Sequence, residues 1–162
     1  WLMILLLLLL LSSMPRDYSR NLNMNRLQKL LIKHEGFVNK TYEIGGLMHI
    51  GVGRNLDDMG LSDDEVLYLL DNDIVRCDKE LLHNFKWYAD LSRARQDAMI
   101  NLCFNLGTPR LMMFSKALAA MESKDYQEAA IQFLDSLWAK QVGPNRSNDL
   151  AYMIRTGKYT TE

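Results

Sequence analysis

Four glycines constrain the first third of this chain more than any other feature. Gly45, Gly46, Gly51 and Gly53 cut residues 37–56 into apolar pieces too short for a helix. Such pieces between turn residues predict a small antiparallel hairpin or two. On either side the apolar residues recur at helical spacing. Leu27, Leu30, Leu31 and His34 share one helical face, opened by Asn25 with Gln28 as its capping-box partner and stopped by Gly36. Ser62 with Glu65 predicts a second capping box and a long helix through Val66, Leu69, Leu70 and Ile74 to about His83. Ala94, Ala98, Met99, Leu102, Cys103 and Leu106 form a broad stripe over 93–106, ended by Gly107. A short helix over 114–121 follows, then one capped by Asp125 and Glu128 that runs through Phe133 to Trp138, with Pro144 as its stop. A last helix is expected over 148–155, closed by Gly157. The chain therefore reads as α+β and mainly helical: a small sheet-bearing lobe at 24–61, a connecting helix at 62–83 and a helical lobe at 84–162. A ligand is expected where two such lobes meet.

Composition removes several classes. Nineteen basic and twenty acidic residues leave a formal charge of -1, which gives no electrostatic footprint for nucleic acid. Two cysteines exclude a disulfide scaffold and a four-cysteine zinc site. Cys77 and Cys103 are expected as free buried thiols rather than a bridge. The run from Trp1 to Leu11 is wholly apolar. It is about half the ~20 residues a membrane-spanning helix needs. It fits the apolar region of a secretory signal with Ser13 near a cleavage point; a spurious leader with Met14 as the start and a membrane anchor are the alternatives. Residues 1–13 are set apart from the domain at 14–162, which is expected to have no stable membrane association once the leader is removed.

Glu35 sits at the last turn of the first helix, where the dipole disfavours an ionised carboxylate, as a general acid requires. Glu43, eight residues on, falls in the turn-rich segment where solvent and loop amides favour the ionised form. Two carboxylates in unlike surroundings suit glycosidic cleavage, although two surface glutamates are the commoner explanation of such spacing. His49 is expected on a strand, by default as a hydrogen-bonded, half-buried side chain. His34 and His83 read as helix-surface residues. No His or Cys spacing supports a metal, no metal or organic cofactor is implied, and the Gly51–Arg54 segment is no nucleotide loop. Trp138 and Phe104 read as core, with sugar contact as the alternative.

His34-Glu35-Gly36-Phe37 followed by Gly46-Leu47-Met48-His49-Ile50-Gly51-Val52-Gly53-Arg54-Asn55-Leu56 resembles the active-site stretch of the phage-type lysozymes, the endolysin muramidases of glycoside hydrolase family 24. The resemblance continues through Ile100–Gly107 and Trp138–Arg146 to Arg155-Thr156-Gly157, in order over about residues 24–158. It implies a two-lobed lysozyme fold and cleavage of the β-1,4 bond between N-acetylmuramic acid and N-acetylglucosamine in peptidoglycan, by a monomer. That role makes the chain bacteriolytic, either exported to the wall or held in the cytoplasm until phage lysis. The family's catalytic glutamate maps to Glu35, the arginine that pairs with it to Arg146, and a cleft-lining amide to Asn105. Phe104 joins these as a substrate-contact candidate.

Two positions depart from the family. Its aspartate and threonine lie nine and fifteen residues after the glutamate, whereas His49 lies fourteen after Glu35, so the loop is one residue short. Keeping the second spacing aligns Glu43 with the aspartate and His49 with the threonine. The longer glutamate is expected to offset the shortened loop and activate water. A neutral imidazole at His49 can instead take the water's proton, giving inversion, or attack the anomeric carbon, giving retention or transglycosylation. The rival readings are a lytic transglycosylase-like activity resting on Glu35 alone, a catalytically silent wall-binding protein, and an intracellular domain of unrelated function.

Overall fold

The computed structural model describes residues 24–160, so the apolar leader lies outside the described residues. The described part is mostly helical with one three-stranded antiparallel sheet, in agreement with the expected α+β class. It divides into two compact units, one ending at Val66 and the other starting at Leu67.

In the first unit, helix α1 spans Arg26–Glu35. Asn25 Oδ1 accepts from the Gln28 amide at 2.9 Å while Gln28 Oε1 accepts from the Asn25 amide at 2.8 Å, so both halves of the capping box form. Gly36, at φ 84, ends the helix and donates its N–H to the Ile32 carbonyl at 2.9 Å. Strands β1 (Val38–Ile44), β2 (Leu47–Gly51) and β3 (Arg54–Asn55) lie side by side in chain order. Gly45 and Gly46, both at positive φ, make the two-residue turn that joins β1 to β2. The short helix α2 (Leu56–Met59) is capped by Asn55, whose Oδ1 accepts from the Asp57 and Asp58 amides.

Helix α3 (Asp63–Asn84) opens on the expected Ser62–Glu65 box, with the Ser62 amide donating to Glu65 Oε2 at 2.9 Å. Arg54 also pairs with Glu65. The second unit continues α3 from Leu67 and adds a 3-10 turn (Tyr88–Asp90) and helices α4 (Arg93–Leu106), α5 (Thr108–Leu111), α6 (Ser115–Glu122), α7 (Tyr126–Leu134), α8 (Leu137–Val142) and α9 (Pro144–Thr156). Of the broad stripe predicted for helix α4, Ala94, Ala98, Met99, Leu102 and Cys103 are buried and Leu106 is half-buried, and Ile100 joins them in the core. Around it lie Leu81, Tyr88, Leu111, Met121, Phe133 and Ile154.

Two expectations about the helices are corrected. The helix read from Asp125 to Trp138 is two helices. Ser136 donates to the Phe133 carbonyl at 2.6 Å and accepts from the Ala139 amide at 3.1 Å, so its hydroxyl closes α7 and opens α8. The last helix starts at Pro144 rather than Asn148, because proline is tolerated in a first turn where its missing N–H would have no partner. The short α5, after Gly107, is an addition that the apolar spacing does not predict.

Cys77 and Cys103 are free and buried. Burial, with Cys103 beside it, pushes the Cys77 thiol up to about 12. The Thr108 hydroxyl, 3.3 Å from Cys103 Sγ, donates to Glu80. Glu80 is held below the ordinary carboxylate range first by that bond, against the cost of burial, and further by Arg76. Glu65 is held low first by the Ser62 amide and then by Arg54. A carboxylate lowered in the folded state takes up its proton first in the unfolded chain. Its stabilisation is therefore complete above the unfolded value, about 4.3, and is lost as pH falls through the folded one. Thermal melts are expected to show a constant midpoint near neutrality and a falling one below about pH 4.5. Glu80→Gln is expected to flatten that fall; an unchanged slope in the variant would remove Glu80 from the account.

Candidate active site

Glu35 is the last residue of α1, and its side chain is exposed. The glycine after it turns the chain directly into the sheet, so the carboxylate stands at the junction of helix and strands. Its Oε2 lies 3.8 Å from the point where a side chain on Gly53 would begin. Gly53 has φ 77 and lies between β2 and β3, so the residue beside the acid carries no side chain.

His49 lies within β2 and is half-buried. Its Nδ1 is 3.0 Å from the Leu47 carbonyl oxygen. A carbonyl only accepts, so Nδ1 donates and the neutral imidazole keeps its lone pair on Nε2. The Tyr42 ring stacks on the imidazole with centroids 5.6 Å apart and planes inclined by 28°. The ladder places Tyr42 opposite His49 and His49 opposite Asn55, one residue from each strand in a single row. Residues paired in this way share a face of the sheet.

Glu43 pairs with Met48, one step along from that row. It is a strand residue rather than a turn residue, because the turn falls at Gly45 and Gly46; the expectation of a loop position is corrected. Strand alternation turns its side chain to the face opposite Tyr42 and His49. The two candidates for the second catalytic role thus project from opposite faces of the sheet. Ile44, nine residues after Glu35, returns to the face of His49 and puts an apolar side chain there. Behind this row Asp57 Oδ2 accepts from the Met48 amide at 2.6 Å and ties α2 to β2.

In the second unit Phe104 is 44 % exposed while Trp138 is 4 % exposed, so of the two only Trp138 is core. Trp138 Nε1 donates to Asn105 Oδ1 at 2.8 Å, which fixes the amide expected to meet sugar. Arg146 donates to Asn101 Oδ1 from Nε at 3.1 Å and from Nη2 at 2.6 Å. Phe104, Arg146 and Asn101 line a cavity of about 450 Å³ together with Leu70, Ile74 and Ile100. His34 and His83 are exposed, as read from the sequence. Among the described residues no group of three or more His, Cys, Asp or Glu is placed to hold a metal ion, and no helix is long and apolar enough to cross a membrane.

Tyr42 beside His49, Asp57 on the Met48 amide and Asn101 beneath Arg146 are neighbours of the candidate residues that sequence reasoning missed. Their partners are set by register and tertiary contact, and no local spacing reports them.

The helix-terminal acid, the glycine-bounded sheet and the helical unit define an α+β fold of the lysozyme type. The phage lysozyme family model matches residues 32–151, and the chain belongs to that family. Over 70 residues it is 37% identical to a protein named probable T4-type lysozyme 1 of Dictyostelium discoideum and 36% identical to probable T4-type lysozyme 2 of the same organism. Each match spans 43% of this chain and 41% of the relative, so the chain covers well under half the length of these curated proteins. It is also 25% identical over 177 residues to the pre-baseplate central spike protein Gp5 of Enterobacteria phage T4, a match covering 91% of this chain and 30% of that protein.

Proposed function

We propose that this chain is a lysozyme that hydrolyses the β-1,4 bond between N-acetylmuramic acid and N-acetylglucosamine in bacterial peptidoglycan, with Glu35 as general acid and His49 as the base. The observation that carries the reading is the placement of the Glu35 carboxylate beside Gly53, in the turn between β2 and β3 of the small sheet that holds His49 with its Nδ1 on the Leu47 carbonyl. Family membership supports the substrate class.

Glu35 protonates the glycosidic oxygen as the bond to the anomeric carbon breaks. Nε2 of His49 takes a proton from water, whose oxygen forms the new bond from the other side of the sugar. The imidazolium that results is stabilised by the Leu47 carbonyl on Nδ1–H. One acid, one base and one water give inversion. Glu43 is the weaker choice for the base because it leaves the opposite face of the sheet, and Ile44 offers no carboxylate in its place. Cleavage of this bond weakens the wall, which makes the proposed role bacteriolytic.

The test is release of reducing ends from purified peptidoglycan, with the anomer of fresh product read by proton NMR. His49→Gln is expected to lower kcat by roughly 10²-fold, within the range for loss of a general base, and Glu43→Gln by far less. The wild-type product is expected as the inverted anomer. Retained configuration would move His49 from base to nucleophile. Anhydro ends would show a lytic transglycosylase. Binding to peptidoglycan without any release would reduce the chain to a wall-binding protein.

A further inference from the structure

We propose that Tyr42 is a positioning residue for His49, holding the imidazole plane so that the Leu47 carbonyl selects the tautomer with Nε2 unprotonated. This rests on the reading of His49 as the catalytic base, though its decisive measurement does not need activity.

A histidine ring is poorly held by its own torsions, since χ2 occupies a broad, roughly two-fold well. One hydrogen bond fixes the ring's edge and leaves its tilt free. At His49 that bond is Nδ1 to the Leu47 carbonyl, 3.0 Å away and two residues back on the same strand. The tilt is fixed from across the ladder by the Tyr42 ring, half-buried and 5.6 Å away at 28°. That separation lies within the range in which offset aromatic pairs attract. With plane and edge both set, rotation of the ring by a half turn would replace Nδ1 by a carbon at the Leu47 oxygen and forfeit the bond. The same face of the sheet therefore presents Nε2 with its lone pair.

The backbone is shaped to make this contact. Val38 pairs with Gly51 and Tyr42 with His49, so β1 gains two residues on β2 over that interval. Continued without the irregularity, the register at Val38 and Gly51 would set Lys40 opposite His49. A cation there would oppose protonation of the imidazole and would offer it no ring to stack on. Bulges that re-aim a side chain recur beside active sites, and this one delivers an aromatic ring to the candidate base. On the far side of the row, the Asn55 side chain is occupied with the Asp57 and Asp58 amides and with Asp58 Oδ2, so the ring has its support on one side.

The experiment is ¹⁵N NMR of the His49 imidazole, with kinetics on peptidoglycan, for wild type, Tyr42→Leu and Tyr42→Phe. The wild-type spectrum is expected to show Nδ1 protonated and Nε2 bare at a pH where the ring is neutral. Tyr42→Leu is expected to give a mixture of tautomers and to lower kcat roughly tenfold with KM unchanged, a part of the range for general-base catalysis. Tyr42→Phe, which keeps the ring, is expected to restore both. If Tyr42→Leu fails to fold by its amide spectrum, Tyr42→Met fills similar volume without a ring and takes its place. A wild-type ring protonated at Nε2 overturns the proposal, as does a ringless variant with the wild-type tautomer. A shifted tautomer with unchanged kcat overturns the positioning role. If the wild type releases no reducing ends, the lysozyme reading fails, and the tautomer shift alone decides whether Tyr42 positions the ring.

Discussion

Glu35→Gln is expected to leave the chain folded and to lower release of reducing ends from peptidoglycan by roughly 10²- to 10⁴-fold, the range assigned to a positioned general acid. The substitution keeps the shape of the side chain and removes the one property the reaction needs, a proton that can be given up to the leaving oxygen. Folding should be indifferent to it. The end of α1 is held by the Gly36 N–H on the Ile32 carbonyl, both backbone groups, and the Glu35 side chain is exposed. A Cβ on Gly53 would come no closer than 3.8 Å to the carboxylate, so the glycine leaves room there for an amide of the same shape. Melting midpoints for the two proteins should therefore agree while their rates part. A Gln variant that cleaves at the wild-type rate would remove Glu35 from the chemistry. A variant that loses activity and stability together would make its role structural.

The parts of this molecule legible in the sequence are those set by residues three or four positions apart. Asn25 with Gln28 and Ser62 with Glu65 each form the reciprocal bonds that their spacing predicts, because both partners belong to one helical turn. The Gly45–Gly46 turn is equally local: a two-residue connection between twisted strands needs positive φ at both positions, and glycine supplies it without strain. The site is legible only in its residue types. Glu35 and His49 stand out, but which carboxylate can join them depends on strand parity, and parity is set by the register of the β1–β2 hairpin, Glu43 with Met48 and Tyr42 with His49, rather than by distance from Glu35. Counting from Glu35 cannot show that Glu43 and His49 leave opposite faces, nor that a bulge replaces Lys40 by Tyr42 beside the imidazole. The same limit applies in the helical unit. Asn105 and Trp138 are 33 residues apart, and no spacing links the one expected to meet sugar to the one expected in the core; the structure joins them in one hydrogen bond. Ser136 was hidden for another reason. The apolar spacing continues across it, and only its hydroxyl's preference for nearby backbone breaks the helix.

Phe133→Ala is expected to cost about 3–5 kcal/mol, the range for emptying the site of a fully buried phenylalanine. The ring is 2 % exposed and lies 5.6 Å from that of Phe114, tilted by 33°. It sits on α7, which packs against both α6 and α9, so its removal leaves a void that three helices must close together. Those helices are not free to move in. Ser136 ties the Phe133 carbonyl to the start of α8, and the Arg95 guanidinium, 3.6 Å from the Tyr126 ring centroid, holds the first residue of α7 while its Nε donates to the Ile154 carbonyl near the end of α9. Partial collapse is therefore small and the cavity cost is largely retained. Against a total stability of about 5–15 kcal/mol, the loss should lower the melting midpoint by on the order of 10–20 °C. Phe133→Leu, which refills much of the volume, should recover more than half of that. Circular dichroism melts of the three proteins measure both steps. A midpoint within about 3 °C of wild type for the alanine variant, under 1 kcal/mol at this chain length, would mean that α6, α7 and α9 can repack without the ring and that the core is anchored elsewhere along α4.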